Sequence, residues 1–285
     1  MTPGIIFEVV PPSRLASAET KQKSLDSIVS AVKSIRGIDY LNIPEVAEES
    51  NKGRPFYRNE DILEFTEKLK SRGVNNGIMV NKVVAYLKDM KEFNEWMEKA
   101  TKKVNSFIFV GGNKTSHQYP GPSVMDATRF AIDRYKVRVG NICIPSRSNE
   151  AERMLKKTIA GASFFTSQII FSSDQAKKLL TEYDQKCEEM GVKPSEIYLS
   201  FCTVSTPTDL EFVEWLEAEI PADVKKRLQT GDMARNSVNI AREVWEDVRD
   251  FSKDSGIKTR AGLNIESIFM HNINPTKELI SQLVK

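Results

Sequence analysis

Eight short apolar segments alternate with amphipathic helical patterns along the chain. The segments are rich in Ile, Val and Phe and are bounded by Gly, Pro, Asn or Ser, which is typical of β-strands. Strands that alternate with helices favour a parallel sheet, so the pattern predicts an α/β fold. The predicted strands cover residues 5–10, 38–43, 77–80, 106–112, 138–144, 164–170, 197–201 and 259–265.

Apolar residues repeat at helical spacing between these strands. The segment 25–35 carries one apolar stripe, with Lys and Asp on the opposite face. Asn59 precedes a second such segment and is predicted to be its N-cap. The tryptophans Trp96, Trp215 and Trp245 fall among other apolar helical positions and are predicted to lie in the core. Further helices are predicted in 90–100, 148–160, 174–190 and 274–284, and at least two in 208–254.

Two architectures accommodate this alternation, a closed (β/α)8 TIM barrel and an open doubly wound sheet. Periodicity alone does not distinguish them, but a typical barrel of this kind has about 250 residues, and the chain has 285. No linker rich in Gly, Pro or Ser, no tandem repeat and no low-complexity tract divides the sequence. We therefore predict a single (β/α)8 barrel catalytic domain over residues 1–285.

Charge and cysteine content exclude several classes of protein. The 41 basic and 39 acidic residues nearly balance, and no basic block indicates nucleic-acid or membrane binding. The cysteines Cys143, Cys187 and Cys202 show no C-x-x-C spacing, and His117 and His271 lie far apart, so neither a zinc site nor a disulfide framework is expected. No signal peptide or long uncharged apolar span is evident. We expect a cytoplasmic protein in a reducing compartment, without a bound metal.

One acid, Glu8, lies inside the apolar run IIFEVVPPS. A carboxyl group in a central strand is poorly hydrated, which disfavours the ionised form and raises its pKa. A carboxyl group that stays protonated near neutral pH can act as a general acid. The alternative is a structural acid neutralised by Lys or Arg from a neighbouring strand, and this residue alone favours neither.

Polar residues at the ends of the predicted strands are the other site candidates, because barrel enzymes carry their chemistry there. Gly111 and Gly112 either leave room for a flat ring or form a turn, and no dinucleotide-fold or P-loop fingerprint occurs. Lys156 and Lys157 either complement a helix dipole or reach a phosphate. The polar strand-end residues are Glu8, Asn42, Asn81, Asn113, Arg147 and Gln168.

Gln168 lies in the apolar stretch AGASFFTSQIIFS, where an unpaired amide is costly. It either hydrogen-bonds a neighbour in the core, which is the commoner arrangement, or presents its donor and acceptor to a ligand.

Three stretches, in this order, resemble the methylenetetrahydrofolate reductase family: FEVVPP on the first strand, FIFVGGN on the fourth and AGASFFTSQIIF on the sixth. NIPEV after the second strand, IPSR…E after the fifth and Leu263-Asn264 on the eighth agree in position. The resemblance implies a (β/α)8 barrel that reduces the methylene group bridging N5 and N10 of a reduced pterin to a 5-methyl group. It also implies an FAD cofactor reduced by NADH or NADPH, which passes hydride to the pterin.

The resemblance also implies roles for individual residues. Glu8 would protonate N10 and open the five-membered ring, which leaves an iminium carbon to accept hydride. Gln168 would orient the pterin, with Asn113 as a further substrate contact, and Lys157 would touch the ribityl-diphosphate part of the flavin. The remaining residues assigned to cofactor binding are Asn42, Asn81, Gly111, Gly112 and Arg147.

Two departures from the family pattern bear on the flavin. The family commonly has Arg-Gly-Asp at the end of strand four, where this chain has Gly111, Gly112 and Asn113. Loss of that negative charge predicts a less reducing flavin, or weaker stabilisation of the iminium. The histidine often found at the end of strand three is Asn81 here. Some relatives are thought to work without flavin, so direct hydride transfer from NAD(P)H is the nearest alternative.

Other functions stay open at this level. The chain is either a reductase or a non-catalytic pterin- or flavin-binding subunit of a partner enzyme, and a barrel of unrelated chemistry is a third hypothesis. The sequence does not distinguish tetrahydrofolate from a tetrahydromethanopterin-type substrate, or NADH from NADPH. A homo-oligomer or a partner subunit is compatible with its nearly neutral charge.

Overall fold

The computed structural model describes residues 4–49, 55–112 and 118–283. Eight parallel strands form the centre of the fold: β1 (Ile5–Val9), β2 (Ile38–Ile43), β5 (Gly77–Val83), β6 (Ser106–Val110), β7 (Arg138–Cys143), β8 (Phe164–Ile169), β9 (Glu196–Cys202) and β10 (Ala261–Ser267). They close into a barrel in the order β1-β10-β9-β8-β7-β6-β5-β2. This closure confirms the predicted (β/α)8 barrel and excludes the open doubly wound sheet.

Helices fill the connections between consecutive barrel strands, and an antiparallel hairpin of β3 (Ala47–Glu49) and β4 (Pro55–Tyr57) is inserted after β2. The sequence analysis did not predict this hairpin or the helix α4. The helices are α1 (Ala18–Ser34), α2 (Ile62–Ser71), α3 (Met90–Ala100), α4 (Val124–Tyr135), α5 (Glu150–Ile159), α6 (Ser173–Glu189), α7 (Pro207–Trp215), α8 (Ala222–Leu228), α9 (Met233–Asp254) and α10 (Ile273–Leu283).

Two local predictions are wrong. The N-cap of α2 is Asp61, whose carboxylate accepts hydrogen bonds from the backbone N–H groups of Leu63 and Glu64. Asn59 lies two residues earlier, and its side chain instead donates to the backbone oxygen of Pro11. Trp215 is 59% exposed at the end of α7 rather than buried, because the helix turns this position away from the strands.

The barrel interior is packed by side chains at its N-terminal end. Ile6, Met79, Ile108, Phe164 and Tyr198 form a separate apolar cluster inside the cylinder. Alternate residues of each strand point inward, so the residues two positions further along these strands reach the C-terminal mouth.

Arg138 closes the N-terminal end of the cylinder. Its guanidinium carbon lies 4.3 Å from the centre of the Phe164 ring and 5.0 Å from that of Tyr40, which is cation–π geometry. The same guanidinium pairs with Glu196 at 3.3 Å. The N-terminal end is therefore filled by side chains, and the candidate site is sought at the C-terminal mouth.

Candidate active site

The mouth of the barrel carries acids on one wall and apolar side chains on the opposite one. Glu8 on β1 and Glu266 on β10 are partly exposed and lie on neighbouring strands. Val110 on β6 and Ile142 on β7 are also partly exposed and pack against the inner apolar cluster. In the closed strand order, β7 lies across from β1 and β6 across from β10. A flat heterocycle between these walls would meet carboxyl groups on one edge and aliphatic surface on the other.

Glu8 points into the mouth and has no cationic partner among the described residues. Asn42 on the neighbouring strand donates a hydrogen bond of 2.5 Å from its Nδ2 to Glu8 Oε2. Burial raises the pKa of Glu8 well above its usual range, the negative charge of Glu266 raises it further, and the Asn42 hydrogen bond opposes both. Among the described residues no Lys or Arg from a neighbouring strand neutralises Glu8, which argues against the purely structural role considered in the sequence analysis.

Glu266 is an acid that the sequence analysis missed. It is the register partner of Glu8 on the adjacent parallel strand. Asn264 lies two residues before it and donates from Nδ2 to Glu266 Oε1 at 3.3 Å and to Ser200 Oγ at 2.9 Å. Burial raises the pKa of Glu266 to about 7. The sequence feature that could have identified Glu266 is its position in LNIES, directly after the last predicted strand. Glu8 occupies the corresponding level of the first strand.

Three asparagines around the carboxyl groups present unused acceptors. The side-chain oxygens of Asn42, Asn81 and Asn264 are buried and have no hydrogen-bond partner in the described chain. An unpaired buried amide oxygen is costly, and such groups usually have a purpose. Solvent does not reach these three oxygens, so a ligand in the mouth would contact them only after the amide side chains rotate.

Gln168 is held by its neighbours at the end of β8. Its Nε2 donates to the backbone oxygen of Leu216 at 2.8 Å, in the connection that follows α7. Its Oε1 accepts from the backbone N–H of Ile169 at 2.9 Å. One N–H and one lone pair remain for a ligand, and the partly exposed side chain lies at the mouth level of β8.

The two glycines after β6 differ in their surroundings. A Cβ atom on Gly112 would lie 2.1 Å from Cε2 of Tyr119, so the absence of a side chain there makes room for the tyrosine ring. A Cβ atom on Gly111 would make an ordinary contact of 3.5 Å with Val124. Asn113 and His117, named in the sequence analysis, lie outside the described residues.

Arg147 and Lys157 share one buried carboxylate. Glu150, at the start of α5, lies 3.6 Å from Arg147 Nη1 and 3.9 Å from Lys157 Nζ. Lys157 also donates to the backbone oxygen of Ile142 at 2.7 Å. Burial lowers the pKa of Lys157, and Glu150 opposes that effect. Because Arg147 and Lys157 share the single negative charge of Glu150, a net positive charge remains beside the end of β7, where Arg147 is half-exposed.

A second buried acid lies in the connections after β9 and β10. Asp209 is 1% exposed and accepts hydrogen bonds from the backbone N–H groups of Ser205 and Thr206 and from the side chains of Asn272 and His271. These donors outweigh burial and lower the pKa of Asp209 to about 2. His271 is largely exposed, and Asp209 ties the two connections together.

The fold and the mouth together define a (β/α)8 barrel with a desolvated acid site at the C-terminal ends of its strands. The chain belongs to the mycobacterial methylenetetrahydrofolate reductase family, whose model matches residues 4–230. This confirms the resemblance found in the sequence. The matched range includes Glu8 and Gln168 and ends before β10, which carries Glu266.

Solved structures support the same fold. An uncharacterized protein from Clostridium thermocellum, described as binding two copies of 5-methyl-5,6,7,8-tetrahydrofolic acid, superposes with a TM-score of 0.82 at 18% identity and covers 100% of this chain and 96% of its own. N-(5'-phosphoribosyl)anthranilate isomerase from Pyrococcus furiosus superposes with a TM-score of 0.51 at 8% identity, covering 98% of each chain. At these identities the likeness shows the barrel alone. No curated protein matches the sequence.

The described residues contain neither a cluster of metal ligands nor a membrane-spanning helix. No group of three or more His, Cys, Asp or Glu side chains in this part of the chain is arranged to hold a metal ion. None of its helices combines the length and the apolar character needed to cross a membrane.

Proposed function

We propose that this protein reduces the methylene group that bridges N5 and N10 of a reduced pterin and releases the 5-methyl form. The observation that carries the proposal is Glu8, a desolvated carboxyl group at the barrel mouth without a cationic partner among the described residues. Membership of the family supports the reaction. The 5-methyl-tetrahydrofolic acid described for the similar Clostridium thermocellum barrel is the expected product.

Glu8 acts as the general acid in this proposal. Its proton passes to N10 of the pterin, the bond between N10 and the methylene carbon breaks, and that carbon becomes an iminium with N5. A reduced nicotinamide or flavin, when bound, would supply the hydride that converts the iminium to the N5-methyl group. Because the side chain is partly exposed at the open mouth, the Glu8 carboxylate regains a proton from solvent.

The other mouth residues position the ring. Val110 and Ile142 offer an aliphatic wall opposite the carboxyl groups, which suits one edge of a flat heterocycle. Asn42 and Asn264 orient the two carboxyl groups, because their Nδ2 groups donate to Glu8 and Glu266. Gln168 contributes its one remaining N–H and lone pair, and its bonds to Leu216 and Ile169 fix its orientation.

The contacts of the assigned cofactor residues bear on the choice of hydride source. Arg147 is half-exposed and fits a phosphate of either FAD or NAD(P)H. Lys157 is already bound to the Ile142 carbonyl, and the Tyr119 ring fills the space beside Gly112. Because both positions are already occupied by contacts within the protein, direct hydride transfer from NAD(P)H is kept as a second candidate beside FAD. Flavin absorbance of the purified protein distinguishes them, because a colourless protein that oxidises NAD(P)H with methylene-pterin needs no flavin.

A Glu8→Gln variant tests the proposed reaction. NAD(P)H oxidation dependent on methylene-tetrahydrofolate, and in parallel on methylene-tetrahydromethanopterin, should fall by roughly 100-fold or more, because general acid catalysis contributes on this scale. Binding of 5-methyl-tetrahydrofolate, followed by calorimetry, should persist. Glu211→Gln, an exposed carboxyl on α7, is the matched control and should keep wild-type turnover.

Two outcomes would contradict this proposal. Full turnover in Glu8→Gln would remove Glu8 from the acid role. Pterin binding without any turnover in the wild-type protein, with both pterins and both nicotinamides, would instead support the non-catalytic binding subunit.

A further inference from the structure

We propose that Glu266 is the second half of the acid site: its carboxylate holds the proton on Glu8 before ring opening and stabilises the cationic iminium after it. This inference rests on the proposed reduction of a methylene-pterin. It concerns a residue of β10 that lies beyond the range matched by the family model.

The two carboxyl groups are neighbours because the barrel closes. Glu8 and Glu266 are register partners on the adjacent parallel strands β1 and β10. Neighbouring strands lie about 4.8 Å apart, and residues in register point to the same side of the sheet. Both side chains are therefore directed into the mouth at one level, and both are partly exposed there. A ligand in the mouth can reach both.

Each carboxyl group receives a separate amide donor, which fixes the pair. Asn42, on the β2 side, donates to Glu8, and Asn264, on β10 itself, donates to Glu266. Asn264 is in turn fixed by Ser200 of β9. The donors are neutral amides, so they orient the carboxyl groups without supplying positive charge.

No charged group in the described chain neutralises the pair. Asn42 faces it from β2, and Ser200, Asn264 and the buried thiol of Cys202 face Glu266 from β9 and β10. Burial and the charges of Glu266 and Asp209 raise the pKa of Cys202 well above its usual range, so the thiol stays neutral.

Two desolvated carboxylates side by side repel each other, so the pair retains a proton near neutral pH. Burial raises the pKa of Glu266 to about 7, while burial and the charge of Glu266 together raise that of Glu8 well above its usual range. Glu8 is the acid of the proposed reaction and lies in the range matched by the family model, so within a pair that retains one proton Glu266 is the member assigned the negative charge.

The Glu266 carboxylate acts both before and after the proton transfer. Before it, the Glu266 carboxylate opposes ionisation of Glu8 and keeps the acid loaded. When the proton moves to N10 and the bond from N10 to carbon breaks, the site holds two carboxylates beside one iminium cation. Their charge stabilises that cation until hydride from the reduced nicotinamide or flavin neutralises it.

The activity profile with pH gives one test of Glu266. In the wild-type protein kcat/KM should be bell-shaped, rising as Glu266 ionises near pH 7 and falling when Glu8 loses its proton at higher pH. In Glu266→Gln the rising limb should disappear, the falling limb should move to lower pH, and kcat should drop about tenfold or more. Affinity for 5-methyl-tetrahydrofolate should change little. Glu266→Asp, which retains the charge, should restore the rising limb.

A second readout does not depend on turnover. Carboxyl titration followed by infrared difference spectroscopy, or by NMR with labelled glutamate, should show two linked ionisations in the wild-type protein. Glu266→Gln should leave one, at lower pH than Glu8 in the wild type, and Glu211→Gln should leave both in place.

These two readouts separate the inference from the proposed function. Linked ionisations in a protein that turns over no pterin would support the carboxyl pair and count against the proposed reaction. Turnover in Glu266→Gln with an unchanged pH profile and an unchanged Glu8 titration would overturn the inference and leave the proposed reaction standing.

Discussion

Buried acids in this chain take opposite protonation states according to the donors around them. Glu8 and Glu266 each receive one side-chain amide and repel each other, and their pKa values rise. Asp209 receives backbone and side-chain donors from both neighbouring connections, and its pKa falls to about 2. The number of donors therefore separates an acid suited to donate protons from one suited to hold structure.

Asp209→Asn should destabilise the fold. The carboxylate accepts from Ser205, Thr206, Asn272 and His271, and an amide replaces one acceptor atom by a donor. We expect a loss of about 2–3 kcal/mol in the free energy of unfolding, because buried hydrogen bonds to a charge are lost. Urea unfolding measures it, and Glu211→Gln on the same helix should change it by less than about 0.5 kcal/mol. An equal effect of both variants would show that the buried network contributes no stability.

Glu266 also bears on the departure at strand four. The sequence analysis predicts either a less reducing flavin or weaker stabilisation of the iminium, because Asn113 stands where the family commonly has aspartate. A carboxylate on β10 supplies negative charge to the mouth from another strand. The Glu266→Gln variant therefore tests two effects: loss of the negative charge that stabilises the iminium, and loss of the charge that keeps Glu8 protonated.

The packing of the barrel interior requires a glycine, Gly140, on β7. A Cβ atom on Gly140 of β7 would lie 2.4 Å from the Phe164 ring of β8. That ring packs edge-on against Tyr198 and beneath the Arg138 guanidinium. The glycine thus admits the aromatic side chain that fills the N-terminal half of the cylinder.

Gly140→Ala should strain the barrel, because the added Cβ atom would overlap the ring of Phe164, which is fully buried against Tyr198 and Arg138. Overpacking of this kind costs about 1–3 kcal/mol. Thermal and urea unfolding measure the loss. Gly111→Ala is the matched control, since its Cβ atom would make an ordinary contact of 3.5 Å with Val124, and it should unfold like the wild-type protein. Equal stability of the two variants would contradict this account of the interior.

Periodicity located most elements but not their ends. The strand predicted at 77–80 extends to Val83 as β5, and the one predicted at 259–265 begins at Ala261 as β10. Asp61 rather than Asn59 caps α2, because Asn59 is held by the connection after β1. Such contacts join distant parts of the chain, so local pattern does not contain them.

The whole molecule is filled at one end and polar at the other. Arg138 and the inner apolar cluster fill the N-terminal end, while the carboxyl pair faces the C-terminal mouth. Placing two unneutralised acids in a desolvated mouth lowers stability whenever they are ionised. Site chemistry and fold stability are therefore linked through pH.

The free energy of unfolding should have a maximum in mildly acidic solution. Glu266 and Glu8 have raised pKa values, so the folded state binds more protons than the unfolded one above about pH 4.5, and stability falls as pH rises through about 7. For Glu266 alone the loss is on the order of 3 kcal/mol. Asp209 has a lowered pKa, so its contribution is lost as pH falls from about 4 towards 2.

Urea unfolding across pH 2–9 measures this profile. The double variant Glu8→Gln and Glu266→Gln should flatten the fall above pH 4.5 and leave the acid limb in place. A profile that keeps its full slope in the double variant would assign that slope to other groups.

The sequence by itself determined the alternation that makes a barrel, the family resemblance and the acid in an apolar strand, because each is written in neighbouring residues. Glu8 is therefore visible in FEVVPP. Only the tertiary structure decided that Glu266 is its partner, that Asn42 is its donor and that Tyr119 fills the space beside Gly112. Closure of the cylinder joins the first strand to the last in a fixed register, and that pairing depends on the whole chain rather than on any local pattern.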